Sequence, residues 1–358
     1  MGVARMTEIG QTNQTVSEQV PSGAILHNLA NIPPTVAEIS HLWSTYMAES
    51  MACCFQKHII VITKDPDYLS ILQSALDLSS RNLSSLENIF NSIQHPIPKA
   101  FGENDVNPAT PRLFDETYAI LYTRMMTKYI FQNHYLAYTE STRSDIRELF
   151  SGFIDGSRDI IRRADDALLV KGVFPKTPYI AVPDRVKFVY DKDYYGSFWG
   201  NGRSLNALEI SNILAILEFK VIIRALKLGF AQVVKSEEIR NYFNRGAKLA
   251  EKHINALRSI LEEDGIPAPE IVDYRVSDSQ ESPFSDRLML FHVTVVIAYI
   301  LTAYGTGLSR MMRKDIIAAY TKLMADILAI AKDGADLLIK NGWLEKIPET
   351  IDSHKLTH

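Results

Sequence analysis

The chain has 358 residues, 46% hydrophobic and 22% charged, the proportions of a soluble globular protein long enough for about two domains. A net charge of -4, with no dense Lys/Arg run, removes the electrostatic case for nucleic acid or an anionic membrane. The only cysteines are the adjacent Cys53 and Cys54, which excludes a disulfide framework and fits a reducing compartment.

Met1 to about Gly23 is polar and lacks the apolar centre of a signal peptide, so no export and a cytoplasmic setting are expected. Residues 1–34 read as a flexible arm ending at Pro33-Pro34. Thr35 then fits an N-cap, with Glu38 three positions on as its capping-box partner. A helix runs to about Thr63 on an apolar stripe that includes Ile39, Trp43, Met47 and Ile59. Asp65-Pro66-Asp67 starts a second helix, and His95-Pro-Ile-Pro98 ends it. A third helix is predicted from about Leu113 to Glu140, and a fourth from Ser144 to the C-terminal glycine of Lys171-Gly172. Residues 173–204 carry Tyr179, Phe188, Tyr190, Tyr194, Phe198 and Trp199, and predict an ordered linker with its rings buried against neighbours.

The pattern then starts again. Ala37-Glu-Ile-Ser40 returns as Leu208-Glu-Ile-Ser211, and at the same offset of 171 Lys64, Leu86 and Pro98 meet Lys235, Leu257 and Pro269. At an offset of 170, Phe114, Arg143, Asp145 and Gly172 meet Phe284, Arg313, Asp315 and Gly342. A nearly constant offset over ~130 positions marks an internal repeat of four long helices, so an all-α chain of two tandem four-helix bundles is expected at 35–172 and 205–345, with a tail at 346–358. The second and third helices of each copy are joined by enough residues to cross the bundle's length or to lie over one end. The apolar run Leu288–Tyr304 is short for a membrane span and carries His292, so a buried core helix is expected there.

In the second copy each helix carries one ligand-type side chain whose i±3 and i±4 neighbours are largely apolar: Glu218, His253, His292 and Asp326. Two imidazoles and two carboxylates suit iron, with manganese or zinc as other choices, and a metal would satisfy carboxylates that are costly to bury alone. His292 reaches the depth of the other three only if the helices alternate simply up and down; with a long crossover it lies about two turns away. The competing reading is core histidines hydrogen-bonded to Tyr or backbone, and a Glu218 paired with Arg or Lys. The first copy has Met47, Asn82, Tyr122 and Gly156 at these positions, which is no ligand set. Neither a phosphate-binding glycine loop nor a nucleophile in a recognisable context occurs, so no catalytic residue is assigned.

The repeated Glu-Ile-Ser starts, together with Ala109-Thr-Pro-Arg-Leu-Phe114, Pro283-Phe-Ser-Asp-Arg287, Ala303-Tyr-Gly-Thr-Gly307 and Lys340-Asn-Gly-Trp343, carry a resemblance over about 35–345. The chain resembles the domain-of-unknown-function 3231 family of endospore-forming bacteria. That resemblance implies tandem ferritin-like bundles and an association with spores, and it brings no established activity. Two functions are therefore expected in competition. One is a ferritin-like protein holding iron at Glu218, His253, His292 and Asp326; the other is a non-catalytic structural or interaction protein, a homo-oligomer or a partner of spore-coat components.

Overall fold

The computed structural model describes residue 29 and residues 32–198, 203–268 and 275–349. Within them lie eight long helices: α1 (Val36–Ile62), α2 (Pro66–Ser92), α3 (Glu116–Glu140), α4 (Ser144–Val170), α5 (Ala207–Val233), α6 (Glu237–Glu263), α7 (Asp286–Leu308) and α8 (Lys314–Lys340). The arm and tail expected at the two ends of the chain fall almost wholly outside the described residues.

The repeated glutamate explains both the helix starts and the topology. Glu38 Nα donates to Thr35 Oγ1 at 3.2 Å while Thr35 Nα donates to Glu38 Oε2 at 2.6 Å, the predicted capping box. The other oxygen, Oε1, accepts from the backbone N–H of Thr142 at 2.7 Å and of Arg143 at 2.8 Å, at the far end of α3. Glu209 does the same in the second copy, closing a box with Asn206 and accepting from Met312 at 3.2 Å and Arg313 at 3.1 Å. At the opposite end of each bundle, Glu116 accepts from Lys64 and Asp65, and Asp286 from Lys235 and Ser236. The start of α1 is thus tied to the end of α3, and its end to the start of α3. The two helices are antiparallel, and the α2–α3 connection must travel the whole length of the bundle. Both copies therefore have the long-crossover connectivity of ferritin-like bundles.

The two crossovers meet. Val106 bridges Phe284 and Phe114 bridges Val276, antiparallel, and Asn107 Nα donates to Pro283 O at 2.8 Å as Ser277 Nα donates to Leu113 O at 2.9 Å. Adding 170 to 107 and 113 gives 277 and 283, so each bond is the image of the other. The bundles are related by an internal pseudo-two-fold axis, as subunits are in an isologous dimer. Across it α1 packs on α7, and its image is α3 on α5. Phe284 stacks against Phe55 and edges onto His58, while the image ring, Phe114, lies over Gly229, where an added Cβ would stand 2.6 Å from the ring. Helix α7, the one described helix apolar and long enough to span a membrane by composition, is half buried in this packing.

One expectation fails. The rings of Tyr179, Phe188 and Tyr190 are not packed between the bundles, being 97%, 77% and 93% exposed, while Trp199 lies outside the described residues. The root of the linker, Val173 to Thr177, lines a groove between α3 and α5, and from Tyr179 to Tyr190 the chain continues as an exposed strap.

Candidate functional site

The four side chains expected to hold a metal do not converge. Glu218 faces the other bundle, where Arg124 Nη1 donates to its Oε1 at 2.6 Å and Lys128 Nζ lies 3.9 Å from Oε2; Arg124 also bonds Asp165. His292 sits at the pseudo-two-fold interface, hydrogen-bonded by Tyr122 and ringed by Phe55 and Phe230. Burial pushes its imidazole down to about 3, so it is neutral and its Nε2 accepts the hydrogen bond from the phenol O–H. Only His253 and Asp326 come together, with Nε2 3.5 Å from Oδ2, and that carboxylate is already held by Lys252 Nζ at 2.7 Å. These residues do not fit a metal ion. Among the described residues no group of three or more His, Cys, Asp or Glu is placed to hold one. The long crossover supplies the reason for His292, and the burial of α5 on two sides supplies it for Glu218.

At the depth of His253 each bundle instead contains a layer of mostly buried polar side chains, drawn from four matching positions. In the second bundle these are Lys220, His253, Tyr304 and Asp326. Lys220 is buried, and burial, reinforced by Lys227 and opposed by Asp326, drives its ammonium well below the usual lysine range. Its Nζ lies 5.5 Å over the Tyr304 ring, and Tyr304 Oη makes a long bond of 3.5 Å with His253 Nδ1. Burial first, then Lys220, holds His253 down at about 3, against the pull of Asp326. One turn pair further along α5, Lys227 is pushed down to about 8 by burial, its side chain lying where Gly246 leaves room.

In the first bundle the same positions hold Glu49, Asn82, His134 and Gly156. Glu49, 2% exposed, accepts from Asn82 Nδ2 at 2.7 Å and lies 3.8 Å from His134 Nε2. Burial raises the Glu49 carboxyl, against hydrogen bonds from Ser79 and Asn82, and lowers His134 to about 4, so neither favours its charged form. A small cavity of about 40 Å³, lined by Glu49, Gln56, Ser79, Thr123 and Ser157, adjoins this pair and has room for about three waters.

Sequence reasoning passed over Glu49, His134 and Lys220. The i±3/i±4 test would have found His134, whose neighbours are Ile130, Phe131, Ala137 and Tyr138, and Lys220, which lies among Ile216, Leu217 and Ile223. Chemically both layers are quenched: an acid and an amine are each pressed towards the neutral form, with no nucleophile and base in reach of a shared substrate space. The buried thiols are equally inert, with Cys53 pushed up to about 11 and Cys54 to about 12, chiefly by burial.

The family described as "Protein of unknown function (DUF3231)" matches residues 27–186 and again 195–356. A solved structure similar to the chain is that of a candidate spore coat protein from Bacillus halodurans, 14% identical, covering 42% of this chain and 98% of its own, with a TM-score of 0.39. No curated protein matches the chain.

Proposed function

Because the chain belongs to the domain-of-unknown-function 3231 family, whose description assigns no activity, we propose its function from geometry: it is a non-catalytic interaction protein that assembles through the strap joining its two bundles. The observation that carries this reading is the exposure of the strap. Tyr179, Val182, Val186, Phe188 and Tyr190 all present most of their surface to water, an apolar run of a kind that marks association sites. Val186-Lys-Phe-Val-Tyr190 is rich in strand-forming residues, and no backbone hydrogen bond among the described residues involves 174–190. Its N–H and C=O groups are thus open to pairing with the strap of a second copy by strand addition. The polar groups of the interior support the same reading, because Glu218–Arg124, Tyr122–His292, His253–Asp326 and Glu49–Asn82 are paired with one another rather than facing a substrate. The association with spores implied by the family resemblance would make the spore the place where such assemblies form.

Replacing residues 179–190 with a Gly/Ser segment of equal length tests the proposal, with mass measured by light scattering. The full chain should form dimers or larger assemblies and the variant should be monomeric with an unchanged melting temperature. A full chain that is monomeric at every concentration, or a variant that assembles equally well, would overturn it.

A further inference from the structure

Two grooves flank the pseudo-two-fold axis, and they differ in a way that the fold does not require. On one side, α1 and α7 enclose about 230 Å³ lined by Trp43, Met47, Phe291 and Ala298. On the other, α3, α5 and the root of the strap enclose about 800 Å³, a volume in the range of small-molecule sites. Its walls are apolar, from Leu121, Leu214, Val221 and Ile222, and Phe174 of the strap lies over it, 4.6 Å from the Arg124 guanidinium.

Four cationic side chains line this groove, Arg124, Lys128, Lys176 and Arg275, against one acid, Glu218. Arg124 is held by Glu218 and Asp165, and Arg275 by Asp115, so these two are occupied internally. Lys128 is only weakly engaged, 3.9 Å from Glu218 and 38% exposed, and Lys176 has no carboxylate within ion-pair distance among the described residues. In the opposite groove the residues equivalent to Arg124, Lys128 and Glu218 are Thr294, Ala298 and Met47. The packing there is therefore achieved without this ion cluster, and Lys128 is not needed to build the interface.

We propose that the α3/α5 groove binds a single acyl chain with an anionic head, the chain along the apolar wall and a carboxylate between Lys128 and Lys176. An apolar trough with cations at its mouth pairs with that shape and charge, and desolvation of the trough strengthens the attraction at the mouth. The site is separate from the strap residues 179–190 on which assembly is proposed to rest, so either can fail without the other.

The test uses the full chain and a fluorescent stearate probe, displaced by oleate kept below its aggregation threshold. Oleate should compete at one site per chain. Lys128→Ala combined with Lys176→Ala, which installs at 128 the residue of the opposite groove, should weaken binding at least about tenfold, as should replacing oleate with oleyl alcohol. Ala215→Trp, at an exposed groove position, should abolish probe binding while the melting temperature stays put. A phosphate head, tried as a single-chain lysophosphatidate, that competes with the same lysine dependence would support the site and name phosphate as its preferred head. Binding that is unchanged in the double lysine variant, equal for oleyl alcohol, or untouched by Ala215→Trp would overturn the proposal.

Discussion

Tyr122 and His292 occupy the same position in the two copies of the repeat, and they meet: the phenol O–H donates to the imidazole Nε2 in the middle of the inter-bundle interface. Removing the donor with Tyr122→Phe leaves a buried ring nitrogen unpaired and should cost about 1–3 kcal/mol. Adding His292→Phe should recover a good part of that loss, because both polar partners are then gone. Chemical unfolding of the two single variants and the double one gives the coupling directly; additive losses would contradict the contact.

Acid should destabilise the fold in a defined window. His58 and His134 are held at about 4, and His253 and His292 at about 3, all chiefly by burial. The unfolded chain takes up these protons near the ordinary value of 6.5, while the folded chain refuses them until pH 4 or below. Between those limits the unfolded state binds more protons, so stability falls as pH drops. Each histidine contributes on the order of 1 kcal/mol or more, and denaturation midpoints at pH 7.5 and pH 5 should differ clearly. Equal midpoints would show that the imidazoles are not sequestered.

Glu38 and Glu209 work in the same direction. Burial raises each carboxyl, but hydrogen bonds outweigh it: for Glu38 from the backbone of Arg143, Thr35 and Thr142, for Glu209 first from the Arg203 side chain. Both end below the usual glutamate value, so their contribution is present above that value and is lost as pH falls through the lowered one. Glu209→Ala should cost about 2 kcal/mol or more, and more than Glu38→Ala, because it also strands the Arg203 guanidinium that bonds both carboxylate oxygens. Thermal melts of the two variants rank them.

Gly229→Ala should cost about 1–3 kcal/mol by overpacking, since the new methyl would enter the Phe114 ring. Gly152→Ala, where an added Cβ meets nothing within 4 Å, is the control and should not lower the melting temperature.

The fold was readable because its signals are local and repeated. Thr35 with Glu38 and Asn206 with Glu209 cap α1 and α5, and Gly172 and Gly342 end α4 and α8 in the left-handed conformation at φ +71 and +66. The metal set was misread because apolar phase reports burial, not the identity of the neighbour. Helix α5 is buried on one side by its own bundle and on another by α3, so Glu218 satisfies the same pattern while facing Arg124. His292 satisfies it while facing Tyr122. The linker aromatics were misread for the opposite reason: ring content argues for burial only where the rings meet a partner surface, and Tyr179, Phe188 and Tyr190 stay exposed.

Metal content most directly tests the central claim, that Glu218 and His292 pair across the two bundles and His253 with Asp326 inside the second, instead of the four holding an ion. Protein purified without added metal, then incubated with ferrous iron and desalted, should retain far less than one equivalent of any transition metal, in the native chain and in His253→Ala alike. A stoichiometric iron content that falls away in His253→Ala would contradict it.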